Sequence, residues 1–338
     1  MSDVVYTREQ PANGVPVEVV PGVLWLRLAL PFALDHVNLW LLDDGDGWTA
    51  IDTGVSDAPT RAIWSALLDG GIAGRPLRRL LVTHFHPDHA GLAGWLVERT
   101  GVPFLMSRTE WLSARWLAID DTESFTAANA EYYRLNGLDQ GMAAELLGRG
   151  NAYRRRVSVP PGSFTCIQAG DRLRLGGSDW QVIVGEGHAP EQVTLWSAER
   201  NLLIAADQIL PRISPVVGVW ASQPAADPLG DFLASLDRYA HLPGDAMVLP
   251  SHGLPFEGLH ERRAALRHHH DERLAQVVEL CREPITTAAV AARLFRRPLD
   301  LHQMGFALAE TLAHLNRLER TGAIGRGIDS GAWSWQAR

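Results

Sequence analysis

The sequence predicts an α+β protein with a large first domain, a helical insertion within it and a smaller tail. Apolar runs with strand character alternate with segments of helical spacing through most of residues 1–257, which indicates sheet and helix in one domain. Polar side chains follow several of these runs, and loops at strand ends gather such groups at one edge of a sheet. Near Gly258 the pattern changes to three helical segments and a hairpin, which predicts a separate tail at residues 258–338.

The first elements are two strand-like stretches followed by a helix. Residues 17–30 and 37–52 have the composition of strands, and the acidic, glycine-containing segment 43–47 predicts a hairpin turn within the second stretch. Residues 59–68 carry apolar side chains on one helical face, which predicts the first helix. The order of strand and helix then repeats through residues 91–99.

One short segment contains the most informative side chains. Residues 84–89 have the sequence HFHPDH, which places three imidazoles and one carboxylate directly after the apolar run Leu80–Val82. Imidazole nitrogen and carboxylate oxygen suit a borderline divalent ion such as zinc. Alternate side chains at the end of an extended segment can point at one ion while the next two approach a second. The segment therefore predicts a metal site.

Three later residues have the same placement relative to apolar runs. His188 comes soon after residues 180–184, and Asp207 directly follows residues 202–206. His252 comes soon after Met247 and Val248. Each stands at the C-terminal end of an expected buried strand. We therefore expect the three side chains to share one sheet edge with the first segment.

The order HxHxDH, then His, Asp and His, resembles that of the metallo-β-lactamase fold superfamily. It is most similar to the glyoxalase II-like and winged-helix-tailed hydrolases of that family. The resemblance implies an αββα sandwich, in which two mixed sheets have helices outside. It also implies that Asp52, in the motif Ile51–Gly54, supports the site without binding metal. The true β-lactamases usually differ at Asp88 and Asp207, which argues against antibiotic hydrolysis as the main role.

The resemblance further implies two divalent metal ions. Zn²⁺ is the expected metal, with Fe or Mn as alternatives, because the ligands are all nitrogen and oxygen. The implied ligands are His84, His86 and His188 for the first ion and Asp88, His89 and His252 for the second, with Asp207 bridging both.

A helical insertion is predicted at about residues 107–160. Ser107 and Glu110 form a capping-box signature, and further helices are expected near residues 125–135 and 140–147. In the resembling family such an insertion often covers the metals, so its aromatic side chains could form an apolar substrate pocket, although most could instead pack against the core. Collectively they favour an organic acyl substrate. The candidate substrate contacts are Arg212, His36 and Tyr133.

The tail has helical spacing at residues 262–280, 285–295 and 302–321, followed by a hairpin-like segment at 323–335. Three helices and a hairpin resemble a winged helix. Three arginines on the third helix and the wing could face nucleic acid, but Glu310 and Glu319 interleave with them. We therefore expect a packing role or a homodimer contact rather than nucleic-acid binding. The arginines are Arg317, Arg320 and Arg326.

Composition constrains partners and location. The formal net charge of -8 and the pI near 5.9 argue against a broad phosphate-binding surface. The sequence has no apolar leader and no apolar run of membrane-spanning length, so a cytoplasmic protein without a membrane partner is expected. Cys166 and Cys281 are far apart, which argues against a disulfide framework and favours two buried packing residues.

Two closely held ions would acidify a bridging water, and the resulting hydroxide could attack a carbonyl without any side-chain nucleophile. Asp88 could accept and return a proton, which makes it the candidate catalytic residue. The favoured function is a metal-dependent hydrolase of a small-molecule ester, thioester or lactone. The alternative is an endoribonuclease on single-stranded RNA or a phosphodiesterase on a small phosphodiester. A third class, a DNA-binding regulator with a ligand-sensing domain, conflicts with the complete ligand set.

Overall fold

The computed structural model describes residues 4–6, 9–295 and 299–338, with the side chain of His302 left aside. The chain divides into two compact units. The first comprises the described residues up to 119 together with 152–215 and 238–263, and the second comprises 120–151, 216–237 and the described residues from 264 onward. The domain boundary at residues 257 and 258, and an insertion at 107–160, remain predictions about independently folding domains.

The first unit contains two mixed β-sheets and helices. Its strands are β1 (Val5–Tyr6), β2 (Val17–Val20), β3 (Val23–Ala29), β4 (His36–Asp43), β5 (Trp48–Ile51), β6 (Leu77–Leu81), β7 (Phe104–Met106), β8 (Thr165–Cys166), β9 (Arg172–Leu175), β10 (Ser178–Gly185), β11 (Gln192–Ser197), β12 (Leu202–Ala206), β13 (Met247–Pro250) and β14 (Phe256–Glu257). Its helices include α1 (Ala58–Gly70), α2 (Pro87–Ala90), α3 (Ala93–Thr100) and α4 (Arg108–Ile119).

Both sheets combine antiparallel and parallel pairs. The first has the order β2-β3-β4-β5-β6-β7-β8, and its pairs are antiparallel up to β5 and parallel from β5 to β8. The second has the order β1-β14-β13-β12-β11-β10-β9, with one parallel pair, β12 and β13. Parallel neighbours end at the same edge of a sheet, so the segments that follow β5 and β6, and those that follow β12 and β13, emerge side by side.

Strand β3 shows how the layers pack. Leu26 and Leu28 belong to one buried cluster, which includes Trp64 of α1. Trp25 points to the other face and belongs to a second cluster, which includes Trp180 of the second sheet. The alternation follows from the two-residue period of a strand. One face of the first sheet is therefore covered by helices and the other by the second sheet, which confirms the predicted α+β sandwich.

The second unit is mainly helical. Its elements are α5 (Glu123–Leu135), α6 (Gln140–Gly148), α7 (Pro228–Ser235), most of α8 (Leu259–Leu280), α9 (Thr287–Leu294), α10 (Leu301–Arg320), β15 (Ile285–Thr286), β16 (Ile324–Asp329) and β17 (Ala332–Ala337). The three tail helices and the hairpin that the sequence predicts are present, and β15 adds a third strand in the order β15-β17-β16. Asp300 and Gln303 form a capping box at the start of α10. The winged-helix assignment itself stays a prediction.

Two details differ from the sequence-based expectations. The stretch 17–30 forms two strands rather than one, because the chain turns at Gly22, whose φ of 74° is readily available to glycine. Cys166 is exposed on the short edge strand β8, so its prediction as a buried packing residue is wrong, whereas Cys281 is buried. Within the described parts of the chain, no helix combines the length and apolarity that crossing a membrane requires.

Candidate metal centre

The ligand-type side chains follow the ends of four strands of the first unit. The segment 84–89 follows β6, and His188 follows β10. Asp207 comes directly after β12, and His252 comes two residues after β13. The fold therefore collects side chains from both sheets. Their ligand atoms form three overlapping groups, in each of which the atoms lie within 4.8 Å of one another: His84, His86 and His188; His84, His89 and Asp207; Asp88, His89 and His252.

The first group consists of three imidazoles. Nε2 of His84 lies 3.1 Å from Nδ1 of His86, which lies 3.0 Å from Nε2 of His188. Zinc–nitrogen bonds of about 2.0–2.1 Å in a tetrahedral arrangement separate the nitrogens by roughly 3.3 Å. These two separations are therefore close to the spacing that one such ion requires, and all three nitrogens lie within 4.8 Å of one another.

Carboxylates join the first group to the others. Oδ2 of Asp207 lies 3.3 Å from Nε2 of His188 and 3.3 Å from Nε2 of His252. Oδ2 of Asp88 lies 3.4 Å from the same nitrogen of His252 and 3.6 Å from Nε2 of His89. Asp207 thus contacts imidazoles of both sets, as a residue shared by two ions would.

The donor set fits divalent metal ions by a second criterion. Nε2 of His89, Nε2 of His252 and Oδ1 of Asp207 are buried and have no hydrogen-bond partner within the described chain. Buried polar atoms without a partner are costly, typically about 1–3 kcal/mol each, and need an explanation. A cation that these lone pairs ligate supplies one.

Hydrogen bonds from Nδ1 fix the tautomers of His89 and His252. Nδ1 of His89 donates to Oδ2 of Asp52 at 2.8 Å, and Nδ1 of His252 donates to the carbonyl oxygen of His36 at 2.7 Å. A ring that donates from Nδ1 leaves a lone pair on Nε2 when it is neutral. Both rings therefore present Nε2 as a ligand atom, in the arrangement that metal-binding histidines commonly have.

Asp52 lies at the centre of this support. Oδ1 accepts from the backbone amide of Thr83 at 2.7 Å, and Oδ2 accepts from the Thr83 hydroxyl at 2.8 Å as well as from His89. Because the hydroxyl donates to Asp52, its oxygen can accept from Nδ1 of His84 at 3.0 Å. One carboxylate therefore orients an imidazole of the first group and an imidazole of the third. Asp52 has a φ of 68°, an uncommon conformation for a residue other than glycine.

The end of β4 holds the segment around His252. The Asn38 amide donates to the carbonyl oxygens of Pro250 and Gly253 at 3.0 and 2.8 Å, and its own oxygen accepts from the indole of Trp25 at 2.8 Å. His36 adds two contacts, because its carbonyl oxygen accepts from His252 and its Nε2 accepts from the amide of Gly253 at 2.8 Å. The position of His252 is therefore set from the first sheet.

The charges of the site favour neutral rings at His84 and His86 and a cation near the carboxylates. Burial and neighbouring imidazoles hold the pKa values of His84 and His86 well below the ordinary value. Burial alone would lower the pKa of His89, but Asp88, Asp207 and Asp52 outweigh it and raise the pKa to about 10. The carboxylates therefore draw positive charge to this position, and a divalent ion can provide it.

Glu110 is the residue whose role the sequence does not reveal. The capping-box interpretation is wrong, because both oxygens of this buried carboxylate accept from distant amides: Oε1 from Glu191 at 2.6 Å and Oε2 from Phe85 at 2.8 Å. Burial raises the pKa of Glu110 to about 7. The hydroxyl of Tyr153 donates to the carbonyl oxygen of Phe85. Phe85 stands between His84 and His86, so its backbone is held on both sides.

The three candidate substrate contacts have different surroundings. His36 is next to His252, but Nδ1 donates to Asp35 at 2.6 Å and Nε2 accepts from Gly253. Arg212 is exposed and donates to the Tyr6 hydroxyl at 3.0 Å. Tyr133 lies on α5 in the second unit, with its ring 5.6 Å from that of Tyr132. Contact with substrate remains a prediction for all three.

Comparison with known proteins identifies the family. Residues 33–252 match the metallo-beta-lactamase superfamily. The chain belongs to that superfamily. Residues 274–338 match a family described as the metallo-beta-lactamase-like C-terminal domain.

Three proteins are similar over most of the chain. A beta-lactamase domain protein from Burkholderia ambifaria is 40% identical, with 99% of this chain and 98% of that one covered and a TM-score of 0.92. A metallo-beta-lactamase family protein from Thermus thermophilus is 30% identical, with 95% and 100% covered and a TM-score of 0.81. The probable metallo-hydrolase YqjP of Bacillus subtilis is 25% identical over 89% of this chain and 93% of its own length.

These similarities and the site geometry support one coarse functional conclusion. The chain is a metal-dependent hydrolase of the metallo-beta-lactamase superfamily, with groups of histidine and aspartate suited to divalent ions.

Proposed function

We propose that this protein hydrolyses an ester, thioester or lactone with the help of two divalent metal ions, most suitably Zn²⁺. His84, His86 and His188 would hold one ion, and Asp88, His89 and His252 the other, with Asp207 shared as in glyoxalase II-like sites. The observation that carries the proposal is the set of buried lone pairs on His89, His252 and Asp207 that have no hydrogen-bond partner in the described chain. When bound, two such ions supply an acidified water and polarise the scissile carbonyl oxygen.

Asp88 is the residue best placed to move a proton. Its side chain is 17% exposed, whereas the side chains of Asp52 and Asp207 are 3% and 8% exposed. A carboxylate that a substrate can reach, and that has one oxygen directed at His252, can accept a proton from the attacking water with its other oxygen. It can return that proton to the leaving group. We therefore propose Asp88 as the catalytic residue.

An acyl substrate is favoured over RNA by the pairing of the tail arginines. Arg317 and Arg320 both form ion pairs with Asp227, at 3.2 and 3.4 Å, and Arg326 pairs with Glu319 at 3.2 Å. Phosphate binding would have to break these contacts. The net charge of -8 is also unfavourable for a polyanionic substrate. Residues 258–338 are therefore proposed as a winged-helix-like domain with a packing or dimerisation role.

A substrate panel with metal analysis on the same sample tests the proposal. Purified protein is expected to contain close to two transition-metal ions per chain and to hydrolyse at least one of an acyl ester, thioester or lactone set. Chelation abolishes this activity, and Zn²⁺ restores it. The substitution His188→Ala is expected to reduce metal content, whereas the substitution of the exposed His268 by alanine leaves it unchanged.

Two results would contradict the proposal. Binding of one ion or none after saturation would exclude the two-ion site. Cleavage of labelled single-stranded RNA or a small phosphodiester, without turnover of any acyl substrate, would establish the phosphodiesterase alternative.

A further inference from the structure

The three imidazoles of the first group come from two segments that are far apart in sequence. His84 and His86 follow β6 of the first sheet, while His188 follows β10 of the second. An ion that needs all three nitrogens within about 3.3 Å of one another requires a fixed distance between the segments. Strand packing alone leaves the loop residues some freedom to move. A direct connection between the two segments would therefore help to fix the distance between them.

Glu110 provides such a connection. One carboxylate oxygen accepts from the amide of Phe85 at 2.8 Å, and the other accepts from the amide of Glu191 at 2.6 Å. Phe85 separates His84 from His86, and Glu191 stands three residues after His188. The same carboxylate therefore bonds the backbone of both ligand-carrying segments.

Neighbouring contacts strengthen both ends of this connection. At the second segment, the Ser107 hydroxyl donates to the carbonyl oxygen of Glu191 at 2.8 Å, and the amide of Thr109 donates to its side chain at 2.7 Å. At the first segment, the Tyr153 hydroxyl donates to the carbonyl oxygen of Phe85. The start of α4 is thus tied to both segments.

The burial of Glu110 indicates that its bonds with the amides of Phe85 and Glu191 do more than start helix α4. The residue is 0% exposed, and removing a carboxylate from water is costly unless strong hydrogen bonds compensate. An ordinary helix start needs only an exposed polar cap. Here neither described bond of the carboxylate goes to the backbone of α4 itself.

We propose that Glu110 is a positioning residue for the first metal: it sets the spacing between the segment of His84 and His86 and that of His188 before an ion binds. Tyr153 assists by holding the opposite side of the Phe85 backbone. The inference rests on the proposed metal-binding role of these imidazoles. Both described bonds of its carboxylate go to backbone amides, which makes Glu110 a positioning residue rather than a catalytic one.

The substitution Glu110→Gln tests the proposal with little change in size. The amide keeps one acceptor oxygen but turns an NH2 group toward the other backbone N–H, so one of the two bonds is lost. The affinity of the metal-free protein for Zn²⁺, measured by competition with a chromophoric chelator, is expected to fall about 10- to 100-fold for one of the two ions. The visible absorption of the Co²⁺-substituted protein is expected to change shape, because the ligand geometry relaxes.

Glu310→Gln serves as the matched control. Glu310 lies in the second unit, and burial raises its pKa to about 7, as burial does for Glu110. Its substitution is expected to leave Zn²⁺ affinity and the Co²⁺ spectrum unchanged. Tyr153→Phe, which removes the bond to the Phe85 carbonyl, is expected to weaken Zn²⁺ binding in the same direction but only a few-fold.

The outcomes separate this inference from the proposed function. If the wild-type protein binds two ions, and Glu110→Gln and Tyr153→Phe bind them with wild-type affinity while only the unfolding temperature falls, Glu110 is structural and the inference is wrong. If Glu110→Gln does not fold, wild-type affinity in Tyr153→Phe likewise overturns it. A wild-type protein that binds no second ion contradicts the proposed function instead.

Discussion

Nδ1 of His89 donates to Oδ2 of Asp52 at 2.8 Å, and both side chains are almost fully buried, with exposures of 0% and 3%. The carboxylate accepts only, so it holds the His89 proton on Nδ1 and leaves Nε2 free as a ligand atom. Through the Thr83 hydroxyl, the same carboxylate orients His84. Asp52 therefore sets the tautomer of His89 and helps to orient both His89 and His84.

The substitution Asp52→Asn tests this arrangement. An amide NH2 in place of Oδ2 can donate to Nδ1 of His89, which moves the ring proton to Nε2 and blocks the ligand atom. We expect affinity for one Zn²⁺ ion to fall about 10- to 100-fold, as loss of such supporting partners typically does. Chelator competition measures the change. Asp43→Asn is the control, since Asp43 pairs with Arg75 rather than with a ligand-type ring; equal affinities in the two variants would contradict the role of Asp52.

The substitution Asp88→Asn is expected to reduce kcat by about 100- to 10,000-fold on the best acyl substrate, because an amide cannot accept the proton of the attacking water. Binding by His84, His86 and His188 does not involve Asp88, so at least one ion per chain remains. Steady-state kinetics and metal analysis on the same preparation measure both effects. Activity close to wild type with both ions bound would assign Asp88 a purely structural role.

The metal-type side chains and the supporting Asp52 could be predicted from the sequence, whereas the supporting role of Glu110 could not. His188, Asp207 and His252 each follow an apolar run, and a strand end is a local feature that periodicity detects. Glu110 is different, because its partners Phe85 and Glu191 are 25 and 81 residues away. The local pattern with Ser107 indicated a helix cap, since nothing within a few residues signals a contact that only the folded sheets create.

For the tail, the sequence predicted the secondary structure but not the ion pairs of the arginines. Helical spacing located the three helices and the hairpin, because an apolar stripe is a property of each segment alone. Arg317 and Arg320 were candidate nucleic-acid contacts, but their partner Asp227 lies some 90 residues earlier. Surface charge can be counted from a sequence, while ion pairing depends on which segments meet.

The double substitution Arg317→Gln and Arg320→Gln is expected to leave acyl hydrolysis within about twofold of wild type and to cost less than about 1 kcal/mol of stability. The arginine side chains are 33% and 61% exposed, and partly exposed ion pairs contribute little. Asp227 is only 9% exposed, but its carboxylate keeps the bond that it accepts from the Gly230 amide at 2.9 Å. Kinetics, urea unfolding and an RNA-binding titration provide the measurements. A sharp loss of RNA binding, with a reduced salt dependence, would instead show that these arginines contact phosphates.

The buried pair His270 and His314 predicts a loss of stability in acid. Burial lowers the pKa of His270 to about 3 and that of His314 to about 4, from 6.5. Because the folded state resists protonation, the stability contribution is complete above pH 6.5 and is lost as the pH falls toward these values. The bond between the two rings, 3.3 Å from Nδ1 of His270 to Nε2 of His314, needs one neutral acceptor.

His314→Gln removes one of these titrations. Between pH 7 and pH 5.5 the variant is expected to lose about 1 kcal/mol less unfolding free energy than wild type, since one pKa unit corresponds to about 1.4 kcal/mol. Urea unfolding at the two pH values measures the difference. His268→Gln is the control because that side chain is 74% exposed. Parallel pH curves for wild type and His314→Gln would refute the assignment.

The candidate metal centre takes its side chains from both sheets: His84 and His86 follow a strand of one, and His188 and His252 follow strands of the other. Each of the three groups of ligand-type side chains contains residues from both sheets, so neither sheet alone can complete one. Metal binding at any of the three groups would therefore require both sheets to be in place, so metal affinity during refolding would report the assembly of the complete sandwich.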